Sequence, residues 1–73
     1  MNVLLRFAEV RKLAESGDAR RIRVRSHLSI PQVAAAVRVA PVTVSRWERG
    51  CRKPTGDAAL RWLQLLRALG TKR

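Results

Sequence analysis

The segment Val39–Gly50, VAPVTVSRWERG, decides the fold, because it reads as a helix from Pro41 with two chemically different sides. At about 100° per residue the positions divide into an outer and an inner set: Val42, Ser45, Arg46 and Arg49 against Val44, Trp47, Glu48 and Cys51. The outer side carries small residues and arginines without acidic residues. This pattern is typical of a helix that packs through one side and contacts nucleic acid through the other.

The composition restricts the chain to one small, basic domain. Its 73 residues include sixteen Lys and Arg against five Asp and Glu, which gives a formal net charge of +11. A domain of this size buries only about 60% of the surface that its unfolded chain exposes. Such a charge favours a polyanionic partner, for which DNA, ribosomal RNA and acidic lipid are the alternatives.

Several other classes of protein are disfavoured by the residues that the sequence lacks. With one cysteine and one histidine, neither an internal disulfide nor a zinc site is expected. No Gly-rich phosphate loop or nucleophile arrangement is present, so we expect no catalysis, no cofactor and no small-molecule ligand. The apolar runs are short and no signal-peptide pattern opens the chain, which predicts a cytoplasmic protein without membrane contact.

Apolar periodicity and capping signals predict an all-α fold of five helices, at about residues 3–15, 18–26, 30–37, 41–49 and 56–69. Asp18 is expected to cap the second helix and Ser29 the third. Residues 21–25 alternate strictly between arginine and apolar side chains, so a half-buried strand is the alternative there.

The last predicted helix carries more apolar residues than one core-facing side needs: Leu60, Trp62, Leu63, Leu65, Leu66 and Leu69. One interpretation is a thoroughly buried closing helix. The other is that the surplus, together with the N-terminal helix, forms a dimer interface. The sequence leaves both open.

The segment Leu28–Gly50, LSIPQVAAAVRVAPVTVSRWERG, resembles the second and third helices of lambda-repressor-like, Cro and XRE-type DNA-binding domains. Domains of this type occur in small phage and actinobacterial regulators, often with an added N-terminal helix. The resemblance extends from about Ala19 to Leu69 and implies a compact five-helix domain containing a helix-turn-helix. It also implies that the helix from Pro41 enters the major groove, and that the core includes Val33, Ala34, Val37, Val39, Val44 and Trp47.

The candidate base-reading residues are those of the outer side: Val42, Ser45, Arg46 and Arg49. Arginine can bind O6 and N7 of guanine, serine can donate or accept, and valine can contact a thymine methyl. The resemblance implies that Thr43, Arg52 and Lys53 bind phosphates, which fixes register without reading sequence. The further candidate phosphate ligands are Ser29, Gln32 and Arg38, of which Arg38 is a departure from the family that places a cation at the turn.

The resemblance further implies an ion pair between Arg23 and Glu48. The helical register also places Glu48 on the inner side, where a carboxylate without a cationic partner is costly. The sequence departs from the family at Arg38 and His27, which stand where glycine is usual, and a positive φ is uncommon for other residues. Ala40 replaces a usual Ser or Thr cap worth about 1 kcal/mol.

These features predict a transcriptional regulator of the Cro or repressor type that binds double-stranded DNA sequence-specifically. A homodimer on a palindromic operator is a possible arrangement. A protein-interaction module from another class, such as an antitoxin with secondary DNA binding, is the alternative. A basic helix lying on an anionic membrane is disfavoured by Glu9 and Glu15 in the first helix.

Overall fold

Residues 2–70, which the computed structural model describes, form five α-helices. They are α1 (Val3–Ser16), α2 (Asp18–Arg25), α3 (Ile30–Val37), α4 (Pro41–Glu48) and α5 (Gly56–Gly70). No strand occurs within these residues, and residues 21–25 are helical. The prediction of an all-α, five-helix fold is therefore confirmed.

The junction between α1 and α2 differs from the prediction that Asp18 caps α2. A single residue, Gly17, separates the two helices and adopts a left-handed conformation with φ 85°. Gly17 is thus the N-cap of α2, without a side-chain hydrogen bond, and Asp18 is the first helical residue. The carboxylate of Asp18 instead accepts a hydrogen bond from Arg21, one turn further along α2. The connection is too short to leave Asp18 outside the helix as a cap.

The start of α3 is fixed by a reciprocal pair of hydrogen bonds between Ser29 and Gln32. The Ser29 hydroxyl accepts from the Gln32 backbone N–H at 3.2 Å, and Gln32 Oε1 accepts from the Ser29 backbone N–H at 2.8 Å. Two donors that a helix start leaves without partners are satisfied in this way. Pro31, one of the two residues between them, has no N–H to satisfy.

The core draws on all five helices and is centred on two tryptophans whose ring planes are tilted by 33° to each other. The ring centroids of Trp47 in α4 and Trp62 in α5 lie 4.8 Å apart. Around them are the other buried apolar residues: Val10, Ala14, Ala19, Val33, Ala34, Val37, Val44, Ala59, Leu63 and Leu66. Small residues at several of these positions let the helices approach closely.

The apolar surplus lies on α1 instead of α5. Within α5, Trp62, Leu63 and Leu66 are buried, and the other three leucines are half-buried. In the first turn of α1, by contrast, the exposed fractions of Val3, Leu4 and Leu5 are 45%, 69% and 64%. The structure therefore favours α5 as a closing helix and leaves an apolar turn open at the start of α1.

An exposed ion pair joins α1 to α5. Arg67 Nε donates to Glu9 Oε2 at 3.1 Å, and this hydrogen bond is the main cause that lowers the pKa of Glu9. A lowered pKa in the folded chain means that the pair stabilises the fold above the pKa of the unfolded carboxyl, and that this contribution is lost as the pH falls through the folded value. The contribution is small because more than 40% of each side chain is exposed to solvent.

Replacing the central tryptophan tests this description of the core. We expect Trp62→Ala to cost about 3–5 kcal/mol, because it leaves a cavity beneath Trp47. A domain of this length has a total stability of roughly 4–11 kcal/mol at 0.05–0.15 kcal/mol per residue. Urea unfolding followed by circular dichroism should therefore show a large loss for Trp62→Ala, and less than about 0.5 kcal/mol for Leu4→Ala. Similar losses in the two variants would contradict this core.

Candidate nucleic-acid interface

The inner side of α4 is anchored by apolar burial. Val44 is fully buried and Trp47 is 3% exposed, with its ring against Trp62 of α5. Val44 and Trp47 are three residues apart and therefore lie on the same side of the helix. α4 also packs directly against α3, whose Ala34 is buried. The helix therefore has one rotational setting in the fold.

A buried ion pair fixes the end of the same side. Arg23 Nε donates to Glu48 Oε2 at 2.7 Å, and Arg23 Nη2 donates to Glu48 Oε1 at 3.1 Å, which is a bidentate geometry. Only 12% of the Arg23 side chain and 4% of the Glu48 side chain are exposed. Arg23 Nη1 also donates to the Leu28 carbonyl at 2.9 Å. One guanidinium thus joins α2, α4 and the first residue of the helix-turn-helix segment Leu28–Gly50, which is called the motif below.

The outer side of α4 faces solvent. Val42 is 47% exposed, Arg46 and Arg49 are exposed, and Ser45 is half-buried. The helix ends at Glu48, with Arg49 as its C-cap, one residue earlier than expected. Arg49 Nε lies 3.4 Å from the Ser45 carbonyl oxygen, which draws this guanidinium back along the helix. The two arginines among the four candidate base-reading residues are both exposed, but Arg49 is hydrogen-bonded to the backbone of its own helix.

The loop after α4 is exposed at its tip and fixed at its base. Arg52 and Lys53 are exposed, whereas Pro54 is buried, and its carbonyl accepts from Arg11 Nε at 3.4 Å. Cys51, assigned to the inner side by helical projection, is exposed. That projection fails because the helix has ended and Gly50 turns the chain with φ 74°.

In the turn between α3 and α4, Arg38 adopts the left-handed conformation for which glycine is usual at this position. Arg38 has φ 67° and ψ 46°, and the next backbone N–H, of Val39, donates to the Ala34 carbonyl at 3.0 Å. Arg61 of α5 donates from Nε to the Val37 carbonyl at 2.9 Å, which satisfies an acceptor at the end of α3. Sequence reasoning missed Arg61, since its side chain crosses 24 positions to reach the turn.

The remaining candidate phosphate ligands lie at helix starts. Ser29 and Gln32 are exposed, and their side-chain oxygens already accept hydrogen bonds in the capping pair, which leaves the Ser29 O–H and the Gln32 amide NH₂ as donors. Thr43 is half-buried near the start of α4, where Ala40 provides no side-chain cap. Backbone N–H groups at such a start are suited to an anion.

The charges of the described residues are arranged unequally. Three of the five acidic residues, Glu9, Asp18 and Glu48, each form an ion pair with an arginine outside the α3–α4 turn and the α4 outer side. Within residues 2–70, no carboxylate pairs with the cations of the motif and its loop: Arg38, Arg46, Arg49, Arg52 and Lys53. The α3–α4 segment and the loop after it therefore present positive charge that no carboxylate of the described residues neutralises.

Two further properties concern the same residues, 2–70. They contain no group of three or more His, Cys, Asp or Glu placed to hold a metal ion. None of their helices is long and apolar enough to cross a membrane.

A comparison with protein families assigns the motif. The profile of the helix-turn-helix domain family matches residues 18–73, which is more than half of the chain. The chain therefore belongs to the helix-turn-helix domain family and is a DNA-binding domain of that class. α2 to α5 lie within the match and α1 lies before it. No curated protein and no solved structure matches the chain.

Removing the buried carboxylate tests whether the ion pair holds α4. We expect Glu48→Ala to cost about 3 kcal/mol without any DNA present, because Arg23 would keep its charge in a mostly buried position. Glu48→Gln keeps the shape and one acceptor, so its loss should be smaller. The control is Glu9→Ala, which breaks an exposed pair and should change the unfolding midpoint in urea very little. Equal midpoints for Glu48→Ala and Glu9→Ala would show that the pair does not stabilise the fold.

Proposed function

We propose that this protein is a sequence-specific, double-stranded DNA-binding transcriptional regulator of the Cro and repressor type, which reads the major groove with α4. One observation carries the proposal. The inner side of α4 is held by Trp47 and by the buried Glu48–Arg23 pair, while Val42 and Arg46 extend to solvent. A helix fixed in this way presents the same side chains to each base pair that it meets.

The proposed base contacts follow from the chemistry of the outer side. Arg46 binds O6 and N7 of a guanine, Ser45 makes a hydrogen bond to a base edge, and Val42 contacts a thymine methyl. Val42 and Arg46 are four residues apart on one side of the helix, so they read neighbouring base pairs on one line along the groove. Arg49 extends the set at the C-terminal end of α4.

The proposed phosphate contacts surround the outer side. The exposed cations of the motif and its loop, Arg38, Arg52 and Lys53, bind backbone phosphates, and Thr43 at the start of α4 adds a hydroxyl. Ser29 and Gln32 hold the start of α3, and the Gln32 amide NH₂ donates to a phosphate. These contacts set the register of α4 in the groove without reading sequence.

We also propose that two copies bind a palindromic operator. α4 has eight residues and is about 12 Å long, so it covers only three to four base pairs at ~3.4 Å each. A site that short gives little discrimination in a genome, because competing sites are abundant. Two copies on half-sites about one helical turn apart would double the sequence that is read. In this proposal the protein acts in the cytoplasm by binding, without catalysis, a cofactor or a small-molecule ligand.

Selection from random-sequence duplexes tests the proposal. We expect an enriched palindrome whose half-site contains guanine. On the selected site, Arg46→Ala should weaken binding by about 1–3 kcal/mol more than it does on random duplex, because a bidentate base contact is lost. Lys53→Ala should weaken binding to both duplexes equally, since a phosphate contact carries no sequence information.

Both duplexes have to be compared at one salt concentration, because phosphate contacts make affinity strongly salt-dependent. Equal losses on the two duplexes for Arg46→Ala would remove this residue from the base-reading set. Selection without any enriched motif would contradict sequence-specific regulation itself.

A further inference from the structure

The turn between α3 and α4 lacks two local features that usually fix such a turn. Arg38 has φ 67°, a left-handed conformation that is sterically more costly for a residue with a Cβ than for glycine. Ala40, the N-cap of α4, forms no side-chain hydrogen bond to the start of the helix. Backbone hydrogen bonds close the end of α3, but the direction in which α4 leaves the turn needs support from elsewhere in the fold.

A side chain of α5 supplies a contact to this turn. Arg61 Nε donates to the Val37 carbonyl oxygen at 2.9 Å. Val37 is the last residue of α3, where a helix leaves its carbonyl groups without intrahelical partners, and Pro41, four positions on, has no N–H to offer. Val37 is only 1% exposed, so its carbonyl would be costly to leave without a donor.

Arg61 and its neighbour Trp62 connect α5 to two points on the path of the chain through α4. The Trp62 ring packs against Trp47, near the C-terminal end of α4. Arg61 bonds to Val37, which lies four positions before Pro41, the first residue of α4. Since Arg61 and Trp62 are consecutive residues of one helix, the backbone of α5 sets the spacing between the two contacts. α5 thus fixes both the end of α4 and the turn that leads into it.

We propose that Arg61 is a positioning residue for the reading of DNA, which sets the direction of α4 through the Val37 carbonyl and touches neither base nor phosphate. This inference rests on the proposed function of α4. Hydrogen bonds to base edges depend on distance and angle, so a small rotation at the turn weakens the contact proposed for Arg46. Phosphate contacts from exposed, flexible cations tolerate the same rotation. Loss of the Arg61 bond therefore lowers specificity more than it lowers binding to DNA in general.

A matched pair of substitutions separates the hydrogen bond from the charge. Arg61→Gln places its amide nitrogen as many bonds from Cα as the arginine Nε, so a donor remains, whereas Arg61→Met has an unbranched chain without a donor. Both variants lose one positive charge, so the electrostatic weakening on DNA is the same for both. We expect Arg61→Met to lower the affinity ratio between selected and random duplex about fivefold, and Arg61→Gln to lower it less than about twofold.

Amide hydrogen exchange without DNA tests the route through the turn. The Val39 N–H donates to the Ala34 carbonyl at 3.0 Å and reports directly on the turn. We expect its exchange to be faster in Arg61→Met than in Arg61→Gln, because the end of α3 opens locally when Val37 loses its donor. The exchange of the buried Val10 of α1 is the control and should be the same in both variants.

Three results would overturn the inference. Equal affinity ratios for Arg61→Gln and Arg61→Met would mean that only the charge of Arg61 affects binding. Equal exchange at Val39 in the two variants would remove the route through the turn. Faster exchange in Arg61→Met at Val39 and Val10 alike would indicate a general loss of stability instead of a positioning role.

The wild-type protein separates this inference from the proposed function. If the wild-type protein enriches no motif from random duplexes, the proposed function fails and the inference fails with it. If it enriches a motif and the two Arg61 variants behave alike, the inference alone fails.

Discussion

The Arg23–Glu48 ion pair is the interaction on which the presentation of α4 depends. Burying two charges is favourable only if the geometry is good and the remaining donors are satisfied, and here the guanidinium makes two bonds to the carboxylate and one to the Leu28 carbonyl. The pair lies beside Trp47, so polar and apolar contacts fix the same side of the helix. With the inner side fixed, the outer side has no freedom to rotate, and Arg46 and Val42 keep constant positions for contact with DNA.

The helices could be predicted from sequence because their signals are local. Ser29 with Gln32, Pro31 and Pro41 determine where α3 and α4 begin, and each acts within one turn. Residues 21–25 show the limit of such reasoning, because their alternation fits a strand equally well and only packing against the other helices selects α2. The predicted cap at Asp18 is wrong, because the one-residue connection at Gly17 leaves no room for a separate cap.

The candidate site could be predicted in part. Its inner and outer sides follow from helical spacing, and the need for a partner to Glu48 follows from the cost of a lone buried carboxylate. The side-chain bond from Arg61 to the Val37 carbonyl and the buried Nε of Arg6 depend on how α5 crosses the other helices, which no local pattern encodes. Cys51 was placed inward only because a helical projection was continued past the end of α4. Tertiary packing thus supplied the information that was missing.

In the proposed function, DNA contacts α4 and its flanking loops, and no contact is assigned to α1 or α5. The most direct measurement is an amide chemical-shift map of the ¹⁵N-labelled protein titrated with its selected duplex. We predict that the largest shifts fall in residues 41–46, at the start of α3 and in residues 49–53, with little change in residues 3–9. Shifts concentrated on α1 and α5, with α4 unaffected, would contradict the central claim that α4 is the reading helix.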